Sequence, residues 1–257
     1  MAVEPGTVQF SIGRVIGDSF GVYARNFVSF TALALIIGVI DLLFVVLYVA
    51  PAMMSVNQDP AQIDLAQINW GAIALGGVVT MIVGTLTQAT IIYGTFQDLR
   101  GQKASIGDCI ARGLSSIVPV IVGSILLSLG VGIGFMLLFV PGLILLVMWW
   151  VYIPAIVVEG QGIMAAFGRS RELTRGRRWH IFGLLVIVGI AMWVLGMIIG
   201  LIVPSDPTAA LGAATIAQYI VQSLVTAYSA VLVAVGYYYL RAEKEGIDVN
   251  EIARIFD

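Results

Sequence analysis

The sequence predicts an all-α fold: a polytopic membrane helix bundle of about six transmembrane helices, with amphipathic interfacial helices on its cytoplasmic side. Three observations lead there. First, 60% of the 257 residues are hydrophobic and 11% are charged, against about 45–50% and 25% in a soluble domain. Second, the apolar residues fall in long charge-free runs, Phe27–Ile40, Trp70–Phe96, Ile117–Val158 and Ile181–Pro204. A helix of about 20 such residues crosses about 30 Å of hydrocarbon. Third, the basic residues segregate to one side of the layout those runs define.

The elements follow in order as one integral membrane domain over 1–257. Residues 7–26 predict an interfacial helix. Ile12, Ile16, Phe20, Tyr23 and Phe27 recur at three- and four-residue steps, with Ser11, Arg14, Asp18 and Arg25 opposite. This stretch lacks the compact apolar core of a secretory signal, so the first span is expected to stay as an uncleaved insertion signal. A six-span bundle occupies 27–240, with spans at about 27–50, 71–96, 118–140, 143–158, 179–203 and 211–240. The block 118–158 would be about 60 Å long as one helix, so it must fold back. Pro141-Gly142 is its strongest turn dipeptide, and the short second arm places that turn below the membrane surface. Residues 241–257 form a cytoplasmic tail in which Asp248 and Glu251 have the spacing of a capping box.

Two further amphipathic stretches lead into spans. One carries Ile106, Ile110, Leu114 and Ile117 on a stripe. The other carries Ile163, Phe167 and Leu173, with Gly176 as its stop. Such helices are expected to lie in the interface with their apolar faces toward the acyl chains. An interfacial helix plus a hairpin thus occurs three times. The starts SIGR and SIGD are alike, but identity elsewhere is slight, and convergent membrane patterning explains the layout as well as a true triplication does.

All thirteen Lys and Arg residues fall on one side of this layout, while 51–70, 141–142 and 204–210 contain none. Basic loops stay in the cytoplasm, so both termini are expected there, in a bacterial inner membrane. Five arginines, Arg169, Arg171, Arg175, Arg177 and Arg178, crowd into ten residues, more than orientation requires. Guanidinium groups bind phosphate in a forked geometry, so these five are candidates for gripping phosphate head groups. Orientation alone is the competing explanation.

Two acids stand out. Asp41 lies mid-span, where a carboxylate costs about 2.5–3.5 kcal/mol on insertion scales and faces an interior or a wet cavity. No span offers it a Lys or Arg, which leaves protonation, hydration, or hydrogen bonds from groups such as Thr80, Gln218 or Gln222. Glu159 ends the fourth span and is a partner for Arg169 or Arg171, either as a structural ion pair or as part of a head-group site.

Other patterns point to packing. GDSFG at 17–21 matches G-x-S-x-G, but that motif needs a strand-to-helix elbow and a histidine base, and the one histidine is His180. Gly130/Gly134 and Gly196/Gly200 have the small-xxx-small spacing of close helix contacts. Trp149, Trp150 and Tyr152 are read as core or lipid-facing. The single cysteine, Cys109, excludes an intrachain disulfide framework. No catalytic residue set, cofactor or metal site is expected.

The run from Phe139 to Gly183 contains Pro141-Gly142, Pro154, Glu159, Arg169-Ser170, Leu173-Thr174 and Gly176. It resembles the glycerophosphoryl diester phosphodiesterase membrane-domain family and its YciC-like relatives. The ending, with Arg241, Glu245-Gly246 and Asp257, and the N-terminal Asp18-Ser19-Phe20 are similar to that family too. In the family, hydrolysis belongs to an attached catalytic domain rich in metal ligands, of which this chain has no counterpart. The resemblance therefore implies a membrane component in lipid or envelope maintenance.

The expected function is a non-enzymatic inner-membrane protein engaging anionic lipids or a membrane partner. The alternative is a transporter or permease for a small or lipid-derived substrate, since Pro- and Gly-interrupted spans build midplane sites. The expected partners are membrane lipids, anionic phospholipids among them, with no nucleic acid. Homo-oligomerisation and the identity of a protein partner are left open.

Overall fold

In a computed structural model, the described residues are 9–49, 51, 69–102, 105–202 and 213–245, and they contain helices and no strands. In chain order the helices are α1 (Ile12–Arg25), α2 (Phe27–Phe44), α3 (Trp70–Leu99), α4 (Ile106–Leu137), α5 (Phe139–Met148), α6 (Tyr152–Glu159), α7 (Ile163–Thr174), α8 (Arg178–Ile202) and α9 (Ala213–Glu245). A π-helical turn, Val45–Val49, continues α2. Six segments among these residues are long and apolar enough to cross a membrane: Phe27–Val49, Trp70–Leu99, Ile106–Leu137, Phe139–Glu159, Arg178–Leu201 and Ile216–Glu245. The molecule is an all-α, multi-pass membrane bundle. The expected tail helix and most of the loops at 51–70 and 204–210 lie outside the described residues.

The bundle centres on α3, which packs against α2, α4, α6 and α9. Small residues allow its closest approach. A Cβ on Gly113 of α4 would stand 2.3 Å from Thr90 Oγ1, and one on Gly94 of α3 would stand 2.9 Å from the Phe30 ring. The interior is formed by residues such as Ile91, Ile92, Val151, Leu184 and Tyr237. Helix α8 is peripheral, with Trp193, Ile198 and Leu201 exposed as lipid-facing residues would be.

The second hairpin differs from the sequence expectation. No break separates an interfacial helix at 106–117 from a span at 118–140; α4 runs unbroken through Pro119 for 32 residues. Its buried face is Cys109, Gly113, Ser116 and Val120, and the stripe residues Ile106 and Leu114, expected to face the acyl chains, are exposed. Small side chains won the protein-facing side because they let α3 approach, and the large ones face outward. The turn also lies earlier. Leu138 is extended, with φ −160° and ψ 146°, and Pro141-Gly142 belongs to the first turn of α5. Proline there forfeits only an N–H that has no helical partner anyway. Gly142 is needed for the return, since a Cβ would meet the Phe135 ring at 2.5 Å, and a Cβ on Gly134 would stand 2.9 Å from Gly142 Cα.

The buried face of α1 is Val15, Ser19 and Val22 against α9, while Phe20, from the stripe expected to face the acyl chains, is 62% exposed, in keeping with that expectation. Two smaller expectations change. Helix α7 turns its apolar face into protein: Phe167 lies 5.0 Å from the Trp149 ring and stacks 5.2 Å from Tyr152. Of the two glycine pairs, Gly130 abuts Trp149 and Gly134 abuts Gly142, but among the described residues nothing lies within 4 Å of a Cβ at Gly196 or Gly200.

Candidate functional site

The returning arm, 139–159, is broken at Trp149–Val151 between α5 and α6. Backbone polar groups freed inside a membrane protein need partners. Helix α7 supplies them. Ser170 Oγ donates to the Met148 carbonyl (2.9 Å) and accepts from Val151 N (3.3 Å), and Thr174 Oγ1 also reaches the Met148 carbonyl (3.3 Å). Gly176, at φ +90°, then ends the α7 turn in a conformation suited to glycine. The arginine-rich segment is thus held against the broken span.

That docking decides what each arginine can do. Arg169 lies on α7 between two carboxylates. Its Nε and Nη2 reach Glu159 at 3.2–3.3 Å, Nη2 also contacts Glu245, and exposed Glu172 is 3.6 Å from Nη1. Arg241 closes the group, 2.7 Å from Glu245 and 3.6 Å from Glu159, and Tyr237 donates its hydroxyl to Glu159. Burial works against the charge of Arg169, but the carboxylates of Glu245 and Glu159 outweigh it, and the guanidinium pKa is raised. Two cations facing two principal anions form a neutral clasp joining α6, α7 and α9. Glu159 is therefore placed in the ion pair with Arg169 that its position suggested.

Arg177 is engaged as well. Its Nε lies 2.7 Å from Glu243 Oε1, and the other oxygen of Glu243 accepts from Phe10 N at 2.8 Å. Arg178 is half-buried, and its Nε has no hydrogen-bond partner among the described residues. Arg171 and Arg175 are exposed and make no ion pair among those residues. Of the five arginines, two are anchored inside the protein and these three remain for an external anion.

The same side carries a pocket that the sequence did not indicate. It has a volume of about 350 Å³, lies between α3, α4 and α6, and is lined by Tyr93, Gln97, Arg100, Gln102, Arg112 and neighbouring apolar residues. The end of α3 builds its rim. Gly101 takes φ +72°, its N–H bonds the Asp98 carbonyl, and Gln102 N bonds the Gln97 carbonyl. That pair of bonds is a Schellman ending, which needs a left-handed residue after the helix. Arg112 is fixed by Nε donating to the Val157 carbonyl at 3.0 Å. Gln97 Nε2 donates to Tyr93 Oη, while its buried Oε1 has no partner among the described residues. Among the described residues two guanidinium groups and no acid line the pocket, so it suits an anion. Arg100 and Arg112 were legible as basic loop residues, but twelve positions separate them and no motif joins them.

Asp41 occupies a second site, among α2, α3 and α9. Thr80 Oγ1 donates to Asp41 Oδ1 at 2.6 Å, one of the partners expected from the sequence. Gln222 lines the same cavity of about 260 Å³, together with Thr87, Gln88, Tyr219 and Ser223; Gln218 is exposed. The remaining sequence candidates pack. Ser19 Oγ donates to the Val15 carbonyl within α1, and His180 sits exposed at the start of α8. Trp150 covers Gly236, and Tyr152 bonds Ser124 at 2.7 Å.

Among known proteins, one family model matches residues 104–243, more than half of the chain, and it is described as "Domain of unknown function (DUF7847)". No curated protein and no solved structure matches.

Proposed function

We propose that this chain, which belongs to the DUF7847 family of unknown function, is a non-enzymatic protein of the bacterial cytoplasmic membrane that engages anionic phospholipid head groups. Both termini and the basic helix ends face the cytoplasm, as their Lys and Arg content favours. The pocket between Arg100 and Arg112 carries the reading. Arg100 and Arg112 together line that pocket, where a phosphate can meet both guanidinium groups, while exposed Arg171 and Arg175 strengthen the field toward an anionic leaflet. The unpartnered Gln97 oxygen favours a head group that brings a donor beside its phosphate, such as a glycerol hydroxyl. The resemblance to the phosphodiesterase-associated membrane-domain family supports a place in lipid or envelope maintenance.

The test is lipid retention. Near an anionic surface each basic residue contributes about 1 kcal/mol, so losing two weakens binding roughly 30-fold. The Arg100→Gln/Arg112→Gln variant, purified from membranes, should retain far less phosphatidylglycerol than the parent and unchanged phosphatidylethanolamine. Equal phosphatidylglycerol in both proteins overturns the proposal. A second reading, a permease for a small substrate, is favoured by the polar cavity around Asp41.

A further inference from the structure

We infer that the Asp41 cavity is a binding site for a small organic cation with ammonium N–H donors. Helices α2, α3 and α9 enclose a space of about 260 Å³, below the roughly 300–1,000 Å³ of drug-sized pockets. The cavity lies within membrane-spanning segments, and Asp41 is the fifteenth residue of the 23-residue span Phe27–Val49. No Lys or Arg lines it, and among the described residues Asp41 has only the Thr80 hydrogen bond. An ionised carboxylate at that depth calls for a cation.

The hydroxyl groups around Asp41 identify the kind of cation. A hydroxyl has one proton to donate and two lone pairs to accept with. Thr80 gives its proton to Asp41, Thr87 to the Val83 carbonyl (2.9 Å), Ser223 to the Tyr219 carbonyl (2.9 Å) and Tyr219 to the Leu35 carbonyl. The Tyr219 contact depends on Gly38, where a Cβ would stand 2.9 Å from the phenol oxygen. With those protons committed, the four hydroxyls can offer an occupant only lone pairs. The cavity joins a carboxylate to these acceptors, while the Gln88 and Gln222 amides and the Thr226 hydroxyl can each present an oxygen as well as a proton, so it complements a cation that brings donors.

Size and chemistry narrow the class. A water molecule has a share of about 30 Å³ in the liquid, so a bare metal ion would fill little of this space. A quaternary ammonium has no N–H for the hydroxyl oxygens. A primary ammonium on a short carbon chain supplies three donors and some bulk, with Val83 and Ala34 against its apolar part. Binding of this kind is a condition for the permease reading, but it does not depend on transport.

The experiment measures binding alone. The protein, in phosphatidylcholine nanodiscs, is followed by thermal unfolding with butylammonium, tetramethylammonium or sodium chloride at equal ionic strength. Butylammonium should raise the unfolding temperature saturably, and the other two should not. Asp41→Asn keeps the size and a polar group and should abolish the shift. Gly84→Leu provides an independent test. Gly84 lines the cavity and nothing lies within 4 Å of where its Cβ would be, so the leucine fills the space while Asp41 stays intact. It too should abolish the shift. No butylammonium shift, an equal shift from all three cations, or a shift that survives Gly84→Leu overturns the inference. If Asp41→Asn does not fold, the cation comparison and Gly84→Leu decide it.

Discussion

Arg169 and Glu159 meet through two guanidinium nitrogens, Nε and Nη2, at 3.2–3.3 Å, tying the start of the arginine-rich segment to the end of the broken span. Arg169→Met would leave Glu159 and Glu245 with less compensation than their burial requires, at a cost of about 3–5 kcal/mol for a broken buried pair. Removing both partners of such a pair is cheaper than removing one. Arg169→Met/Glu159→Met should therefore unfold later than Arg169→Met alone. Additive losses in the double variant would show that the two side chains are not coupled.

The α3–α4 contact predicts a size-specific defect. A methyl group at Gly113 would collide with Thr90 Oγ1 at 2.3 Å, so Gly113→Ala should destabilise by about 1–3 kcal/mol, as overpacking does. Thr90→Ala removes the colliding oxygen and should recover part of that loss in the double variant. Thermal unfolding of the three proteins in one detergent checks this, and a neutral Gly113→Ala would mean the helices are not in contact there.

Ser170 predicts the stability of the break. Without its hydroxyl, Val151 N loses its side-chain acceptor and Met148 keeps only the longer bond from Thr174. Unsatisfied buried groups cost about 1–3 kcal/mol, so Ser170→Ala should lower stability by that amount. Faster amide exchange at Val151 should accompany the loss, and unchanged exchange would place Ser170 outside the support of the break.

Orientation is open to chemical labelling. In a Cys109→Ala background, an impermeant maleimide applied outside intact cells should modify cysteines placed at Asn57 or Ser205. It should spare cysteines at the exposed positions Gly168 and Glu172. Modification at Gly168 from outside would reverse the proposed topology.

Composition and run length determined that this chain is a helical membrane bundle with six crossings. Hydrocarbon demands long apolar helices whatever the partners, so that requirement is written locally, residue by residue. The positions of Asp41, Glu159 and the five arginines were legible for the same reason, because charge in such a chain is conspicuous. Their partners were not. Which arginines point outward depends on Glu243 and Glu245, more than sixty positions away, and Arg100 meets Arg112 only because α3, α4 and α6 converge. The protein-facing side was not legible where both sides are apolar, as in α4, because periodicity cannot tell lipid from protein when both exclude water. Tertiary packing made that choice, turning glycine, serine and cysteine toward the neighbouring helix and the bulky side chains toward the membrane.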